Sequence, residues 1–303
     1  MNTLDKTVAK MKKNKVPLEQ NCTFTKLTTF GVGGKIYLTV YPQTVRQLVF
    51  VARYLRRHNV RHCFLGHGSN VLASDDDYLG VAVVTTQVRE MTFRGNVVTA
   101  SCGTSASKLC SELVNRGLAG GEFFGCLPAT VGGAIACNAG CFGQSVEQVV
   151  RSVTVLYKGR KKRLPVNACG FGVRNSVFKN NGDYLILSAE LEFSEAAPTD
   201  IQRSLTAMRQ KKAETQPLGS RSAGCVLYSE TTAVSKLIDE AGLKGFRIGG
   251  AAVSEKHAGF VINLDKATAK DIYLLIQYLQ NAVRERYGIT PKTEICFINF
   301  DAA

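Results

Sequence analysis

The sequence predicts an α+β fold, and three observations predict it. Short apolar, β-branched runs recur from Ile36 to Asn299 without alternating strictly with helices. Only a few stretches carry apolar residues at helical spacing. Between them lie stretches of small residues, the longest being 121–143, which cannot fill a core by bulk.

Residues 1–20 are polar and basic, and predict an exposed helix that makes a poor core element. Leu27–Lys35 (LTTFGVGGK) is turn-rich and leads into a strand at Ile36–Tyr41, which Pro42–Gln43–Thr44 ends. Val45–His58 places Leu48, Val49, Ala52 and Leu55 at helical spacing. Cys63–Leu65 predicts a short strand before the loop GHGSN. Val71–Leu72 and Val81–Val84 predict further strands around the acidic turn Asp75–Asp77. Met91–Phe93 and Asn96–Ala100 form a hairpin across Arg94–Gly95. Ala106–Arg116 is an amphipathic helix with Leu109 and Leu113 on one face and Gly117 beyond its end.

After the 121–143 stretch, Val149–Tyr157, Lys162–Pro165 and Tyr184–Phe193 predict strands, and residues 196–200 a boundary. Asp200–Lys212 reads as a basic helix, 215–225 as a loop, Thr231–Ala241 as a helix stopped by Gly242, and Phe260–Asn263 as a strand. Thr268–Tyr287 is the longest helix, with Ile272, Leu275, Ile276, Leu279 and Val283 in one stripe. Thr293–Asn299 is a closing strand. No repeat or low-complexity tract is present.

A chain of 303 residues, 45% hydrophobic and 20% charged, has the composition of an ordinary soluble protein with two or three domains. No apolar run approaches the ~20 residues that span a bilayer, and residues 1–20 show no secretory h-region, so a cytoplasmic protein is expected. The ten Cys form no C-x-x-C pair, and Cys137 and Cys141 lack nearby metal-ligand partners, so no metal site is expected and most read as small buried hydrophobes. The net charge of +14 favours anionic partners. The basic clusters 10–15, 158–163 and 209–212 also fit plain solvated surface. The aromatic–basic interleaving of a base-stacking platform is missing, and there is no Trp.

Two Gly-rich loops carry the chemistry. Leu65–Asn70 (LGHGSN) follows a strand, where backbone N–H groups and short side chains can hold an anion. Residues 121–143 contain six Gly and four Ala, which let a ligand or another backbone come close. Either loop alone reads equally well as tight packing. Two together suit a diphosphate better.

The order of motifs resembles the UDP-N-acetylenolpyruvoylglucosamine reductase family. The matching segments are LTTFGVGGK (27–35), LGHGSNVLASD (65–75), GEFFGCLPATVGGAIACNAGCFG (121–143), FGVRNSVFK (171–179), SAGCV (222–226), GLKGFRIGGAAVSEKHAGFVIN (242–263) and TEICFIN (293–299). One Gly-rich loop is weak evidence; seven motifs in family order are not. The resemblance implies an N-terminal extension (1–26), two FAD-binding subdomains of PCMH type (27–86 and 87–197) and a substrate-binding domain (198–303). It implies NADPH and a UDP-sugar as small-molecule partners, with no nucleic acid or membrane, in a monomer serving peptidoglycan synthesis and so cell shape and division. Gly66, Gly68, Ser69 and Asn70 would form one wall of the FAD site. Pro128, Thr130, Gly132, Gly133, Asn138 and Gly140 would form the other. His67 would face solvent or a phosphate.

Reducing an enolpyruvyl ether takes a hydride at the β-carbon, a proton at the α-carbon, and stabilisation of the charge that builds on the carboxylate in between. The resemblance assigns that stabilisation to Arg174, whose guanidinium matches a carboxylate bidentately, acting with Glu294. It assigns the proton to Cys225, at a position where the family commonly has Ser. A reference thiol has a pKa of about 8.5, so it holds its proton near neutrality and parts with it more readily than an alcohol. On its own each residue also reads plainly, as a loop Arg, an inert Cys and a strand carboxylate. The sequence departs from the family at Ala129 (more often Gly), Val173 (usually Tyr) and 226–230 (VLYSE in place of a Phe-Lys-Asn-Pro-like run). Lys244, Arg247 or Arg221 are expected to supply the positive charge lost there. The competing readings are another PCMH-type FAD oxidoreductase and a basic nucleic-acid-binding protein.

Overall fold

The computed structural model describes residues 2–300. The chain divides into two compact units. The first comprises residues up to 20, 38–67 and 80–212; the second comprises 21–37, 68–79 and 213 onward.

The first unit carries the greater part of a four-stranded sheet in the order Leu18–Thr23, Lys35–Val40, Tyr78–Val84, His62–Leu65. The last two strands pair in parallel, Leu65 opposite Val84. The helix Val45–Arg57 begins on Thr44, whose hydroxyl accepts the N–H of Gln47. It buries Leu48, Val51, Ala52 and Leu55 but only partly Val49, so the apolar stripe lies one position round from its expected place. The unit's second sheet is antiparallel, in the order Arg160–Pro165, Val150–Tyr157, Tyr184–Glu192, Val97–Ser101, Met91–Arg94. Its first strand is an edge strand made almost wholly of exposed Arg and Lys, which discourages pairing with another chain. The hairpin turns at Gly95–Asn96 rather than Arg94–Gly95, because Arg94 pairs with Val97 and Gly95 takes the left-handed conformation.

The N-terminal helix forms over Thr3–Lys13, capped by a reciprocal Asn2–Asp5 box. It is not wholly exposed as expected, since Thr7, Val8 and Met11 are buried. The charged residues Asp5, Lys6, Lys10, Lys12 and Lys13, interleaved along the helix, hid an apolar stripe one turn apart. The strand Leu18–Thr23 that follows has too mixed a composition to stand out.

The second unit packs the strands Arg221–Cys225, Phe260–Asn263, Ala251–Val253 and Arg247–Ile248, in that order, with the helix Ala269–Tyr287. That helix buries the expected stripe from Ile272 to Val283, begins on a Thr268–Asp271 capping box, and ends on the left-handed Gly288. Three expectations need correction here. Residues 221–225 form a strand rather than loop, because main-chain pairing with Phe260–Asn263 overrides the low strand propensity of Ser, Ala and Gly. The helix expected over 231–241 starts only at Val234. The closing strand is two pieces: Lys292–Thr293 pairs with Leu227–Tyr228, and Cys296–Ile298 pairs in parallel with Val71–Ala73. Glu294 lies at the break. Among the described residues no helix is long and apolar enough to cross a membrane, and no cluster of His, Cys, Asp or Glu is placed to hold a metal.

Candidate active site

Within the first unit the two Gly-rich loops meet. Gly66 follows the strand His62–Leu65, and a Cβ placed on it would stand 2.4 Å from Oγ1 of Thr130. Thr130 is buried and caps the short helix Val131–Ala136, its hydroxyl accepting the N–H of Gly133 at 3.2 Å. The N–H groups of Val131 and Gly132 go to the carbonyls of Thr104 and Cys102, so this loop does not present them to a ligand. Gly132 is there for packing, since a Cβ would meet Cys102 at 2.8 Å. Gly133 and Pro128 are exposed, and nothing but Thr130 lies near a Cβ on Gly133, so the backbone there is open to close approach. His67 is exposed, as expected.

Asn138 is buried in the left-handed conformation. Its Nδ2 donates to the carbonyl of Gly172 at 3.0 Å and its Oδ1 accepts the N–H of Glu147 at 3.1 Å. It therefore braces the turn that carries Arg174. That turn is closed by reciprocal main-chain bonds between Gly172 and Asn175, and by Ser176 Oγ donating to the carbonyl of Ala136 at 2.7 Å. Arg174 itself has φ +53, a conformation non-Gly residues adopt only when their surroundings compel it. Val173, where a Tyr was expected, is 53% exposed. Gly140 sits in the tight hairpin 140–145, where a Cβ would meet the carbonyl of Gln144 at 2.1 Å.

Within the second unit Gly68 has φ +64, and a Cβ on it would come within 1.9 Å of the Leu27 carbonyl oxygen. Only Gly fits. Thr29 donates its N–H to the Gly68 carbonyl at 3.2 Å, and its hydroxyl is buried without a protein partner. Ser69 and Asn70 are half-buried. Asn70 Nδ2 donates to the carbonyl of Glu294 at 3.1 Å, and the Asn70 carbonyl accepts the N–H of Cys296 at 2.9 Å. The N–H of Glu294 goes to the carbonyl of Val226 at 2.8 Å, which sets Glu294 beside the residue following Cys225. Cys225 stands just after the left-handed Gly224, where the register with Phe260–Asn263 shifts. Such irregularities re-aim a side chain. Hydrogen bonds thus tie Asn70 to Glu294 and Glu294 to Val226, the neighbour of Cys225 in the chain.

The departure at 226–230 has a packing reason. Val226 and Leu227 are core residues, and Glu230 pairs with Lys292 at 2.8 Å, which holds its carboxyl below the usual range. Of the expected substitutes, Lys244 is paired with Asp239 at 2.7 Å, Arg221 lies over Gly31, and Arg247 is exposed. Cys102, Cys110 and Cys169 behave as buried hydrophobes, and Cys141 is half-buried. Burial pushes the thiols of Cys102 and Cys141 up to about 12, and those of Cys110 and Cys169 up to about 11. The surface depression lined by Arg151, Ser152, Arg163, Pro165 and Glu190 holds none of the expected site residues.

FAD needs donors for its diphosphate and narrow walls along its length. Among the described residues, no protein acceptor takes the N–H of Gly66, His67, Gly68 or Ser69. The first unit offers the N–H groups of Gly66 and His67 with the open backbone at Gly133, and the second those of Gly68 and Ser69 with the buried Thr29 hydroxyl; each set is of a kind that fits the group. Sequence reasoning missed Thr29. The signal was the doubled Thr before FGVGG.

Comparison with known proteins agrees. A family model described as "UDP-N-acetylenolpyruvoylglucosamine reductase, C-terminal domain" matches residues 174–298, and one described as "FAD binding domain" matches 37–161. The chain is 35% identical over 276 residues to UDP-N-acetylenolpyruvoylglucosamine reductase 2 of Bacillus cereus (strain ATCC 10987 / NRS 248), covering 90% of each. It is 36% identical over 271 residues to the reductase of Thermotoga sp. (strain RQ2), covering 88% of this chain and 89% of that one. The crystal structure of UDP-N-acetylenolpyruvylglucosamine reductase from Thermus caldophilus superposes with a TM-score of 0.77 at 27% identity, covering 93% of this chain and 98% of that one.

Proposed function

The chain belongs to the UDP-N-acetylenolpyruvoylglucosamine reductase family, and from that premise we propose that Arg174, Cys225 and Glu294 carry the substrate half of its reaction. The activity is the NADPH-dependent reduction of the enolpyruvyl ether of UDP-N-acetylglucosamine to UDP-N-acetylmuramate, a step of peptidoglycan precursor synthesis, on a PCMH-type FAD-binding fold. Bound FAD, reduced by NADPH, supplies the hydride. Gly66, Gly68, Ser69 and Asn70 would hold its diphosphate, Thr29 would add a hydroxyl, and Thr130, Gly133 and Gly140 would line its path.

The remaining steps are proton and charge management. Arg174 takes the substrate carboxylate with its planar fork, so charge that builds there meets a cation that never deprotonates. Glu294 acts with it on the enolic intermediate, where only its acid form can donate a hydrogen bond. Cys225 delivers its proton to the α-carbon: the S–H bond breaks, the C–H bond forms, and the sulfur keeps the electron pair. The observation that supports this reading is the main-chain bond from the Glu294 N–H to the carbonyl of Val226, the residue after Cys225.

By role, 27–86 and 87–197 serve the flavin and 198–303 the substrate. The enzyme works in the cytoplasm as a monomer on small molecules, and its place in wall synthesis ties it to cell shape and division. The first test is the visible spectrum of the purified protein before and after anaerobic NADPH, followed by the enolpyruvyl sugar nucleotide. A flavin spectrum that bleaches and then recovers supports the reading. Bleaching without recovery would mean another substrate, and a colourless protein that takes up no FAD would overturn it. Cys225→Ala is expected to abolish recovery but leave bleaching, and Cys225→Ser to keep much of both.

A further inference from the structure

Cys225 has a neighbour that the reaction as derived does not use. A Cβ placed on Gly259 would stand 3.1 Å from Cys225 Sγ and 3.1 Å from His257 Cε1. Cys225 Sγ and His257 Cε1 are therefore no farther apart than twice that distance, and both border a residue that carries no side chain. The pair is built in. The carbonyl of Gly259 accepts the N–H of Val226 at 3.0 Å, and Cys225 lies opposite Phe260 in the sheet. The turn carrying His257 is tied by Ser254 Oγ, which accepts the N–H groups of Lys256 and His257. The ring packs edge-on to Phe260, with centroids 4.9 Å apart.

The form of the imidazole follows from its contacts. Nδ1 accepts the N–H of Gly259 at 3.1 Å, so the ring proton sits on Nε2. Burial pushes the imidazole below the usual histidine value; a main-chain hydrogen bond opposes this, the nearby Lys244 ammonium adds to it, and Asp239 opposes it more weakly. Lys244 and Asp239 are themselves paired at 2.7 Å. A charged imidazolium beside a cysteine would draw the proton off sulfur. A neutral one leaves the thiol intact as a donor, and an Nε2–H is the kind of donor that stabilises the thiolate left after the proton has gone.

We propose that His257 is a positioning residue for the proton-donating thiol: its neutral ring does not draw the proton off Cys225 at rest and stabilises the sulfur anion as the proton leaves. The thiolate then regains its proton from water. This rests on the reading of Cys225 as proton donor.

The test uses the full-length, flavin-loaded enzyme and its His257→Asn, His257→Ala and Cys225→Ala variants. Asn keeps an acceptor for the Gly259 N–H and removes the imidazole; Ala removes both. Two quantities are read: the pH dependence of iodoacetamide alkylation on the peptide carrying Cys225, and the two half-reactions by stopped flow. In both His257 variants the alkylation midpoint is expected to move up and flavin reoxidation by substrate to slow about tenfold, with reduction by NADPH unchanged. His257→Asn behaving as wild type in both readouts would overturn the proposal, even if His257→Ala is impaired, because the histidine would then only hold the turn. A wild-type thiol that is already reactive in acid would overturn it too, since the pair would be charged at rest. If Cys225→Ala reoxidises normally, the donor reading itself falls. If Cys225→Ala fails while His257→Asn is normal, only the present inference falls.

Discussion

Substituting Gly66 by Ala tests whether the meeting of the two Gly-rich loops matters. The added Cβ would lie 2.4 Å from Thr130 Oγ1, 3.2 Å from its Cγ2 and 3.3 Å from its Cβ, where ordinary contact begins at 3.4 Å. The hydroxyl must therefore retreat by about 1 Å, as the overpacked contact demands. It has little room, because Thr130 is 1% exposed and its hydroxyl accepts the Gly133 N–H. Losing that cap costs about 1 kcal/mol, and overpacking a buried site adds about 1–3 kcal/mol. Gly66→Ala is thus expected to lower stability by about 2–4 kcal/mol and to weaken FAD binding at least tenfold, about 1.4 kcal/mol. In a Thr130→Ala background the two nearest crowding atoms, Oγ1 and Cγ2, are gone, so the second substitution should cost about 1 kcal/mol or less. Urea unfolding followed by far-UV circular dichroism reports stability, and FAD's own fluorescence reports binding in a protein without Trp. Additive effects within about 0.5 kcal/mol would refute the argument.

Arg174→Gly should relieve the left-handed strain at φ +53 and raise stability by about 1 kcal/mol, while reoxidation of the flavin by substrate is lost; unfolding and stopped-flow measurements on one preparation check both. Arg174→Lys replaces a fork by a point charge and should slow reoxidation alone. Thr268→Ala removes the cap of the helix Ala269–Tyr287 and should cost about 1 kcal/mol; an unchanged urea midpoint would rule the cap out as a stabiliser. His257 titrates below an ordinary histidine because burial penalises its charge. As pH falls below about 6.5 the unfolded chain takes up that proton first. Its share of stability is therefore full above that value and is lost as pH drops through the lowered folded value. His257→Asn should flatten this part of the stability–pH curve, and identical curves would show that the group is not linked to folding.

The α+β character, most of the elements and the motif order were legible because they rest on local pattern. Thr44, Gly117, Thr268 and Gly288 mark their helix ends by chemistry that acts within one turn. What stayed hidden depends on partners remote in sequence. Residues 221–225 become a strand only because Phe260–Asn263 pairs with them. Val131 and Gly132 look like bare donors until the carbonyls of Thr104 and Cys102 are seen to take their N–H groups. Asn138 reads as a cofactor ligand in the motif, and proves to brace the Arg174 turn. His257 could be singled out only once Gly259 was seen to separate it from Cys225.

The parallel pairing of Cys296–Ile298 with Val71–Ala73 bears on how the protein is made. On the ribosome, residues 21–37 and 68–79 emerge long before the segment that completes their unit. Until residues 296–298 appear, Val71–Ala73 offers an open edge and its apolar neighbours have no lasting cover, so this unit should be the slow step of folding and the one that most needs chaperones. Glu294 sits within the segment that ends the wait. Chains interrupted before it lack a proposed catalytic group and a closed unit together, so a prematurely terminated copy is expected to meet the proteolytic machinery before it meets substrate.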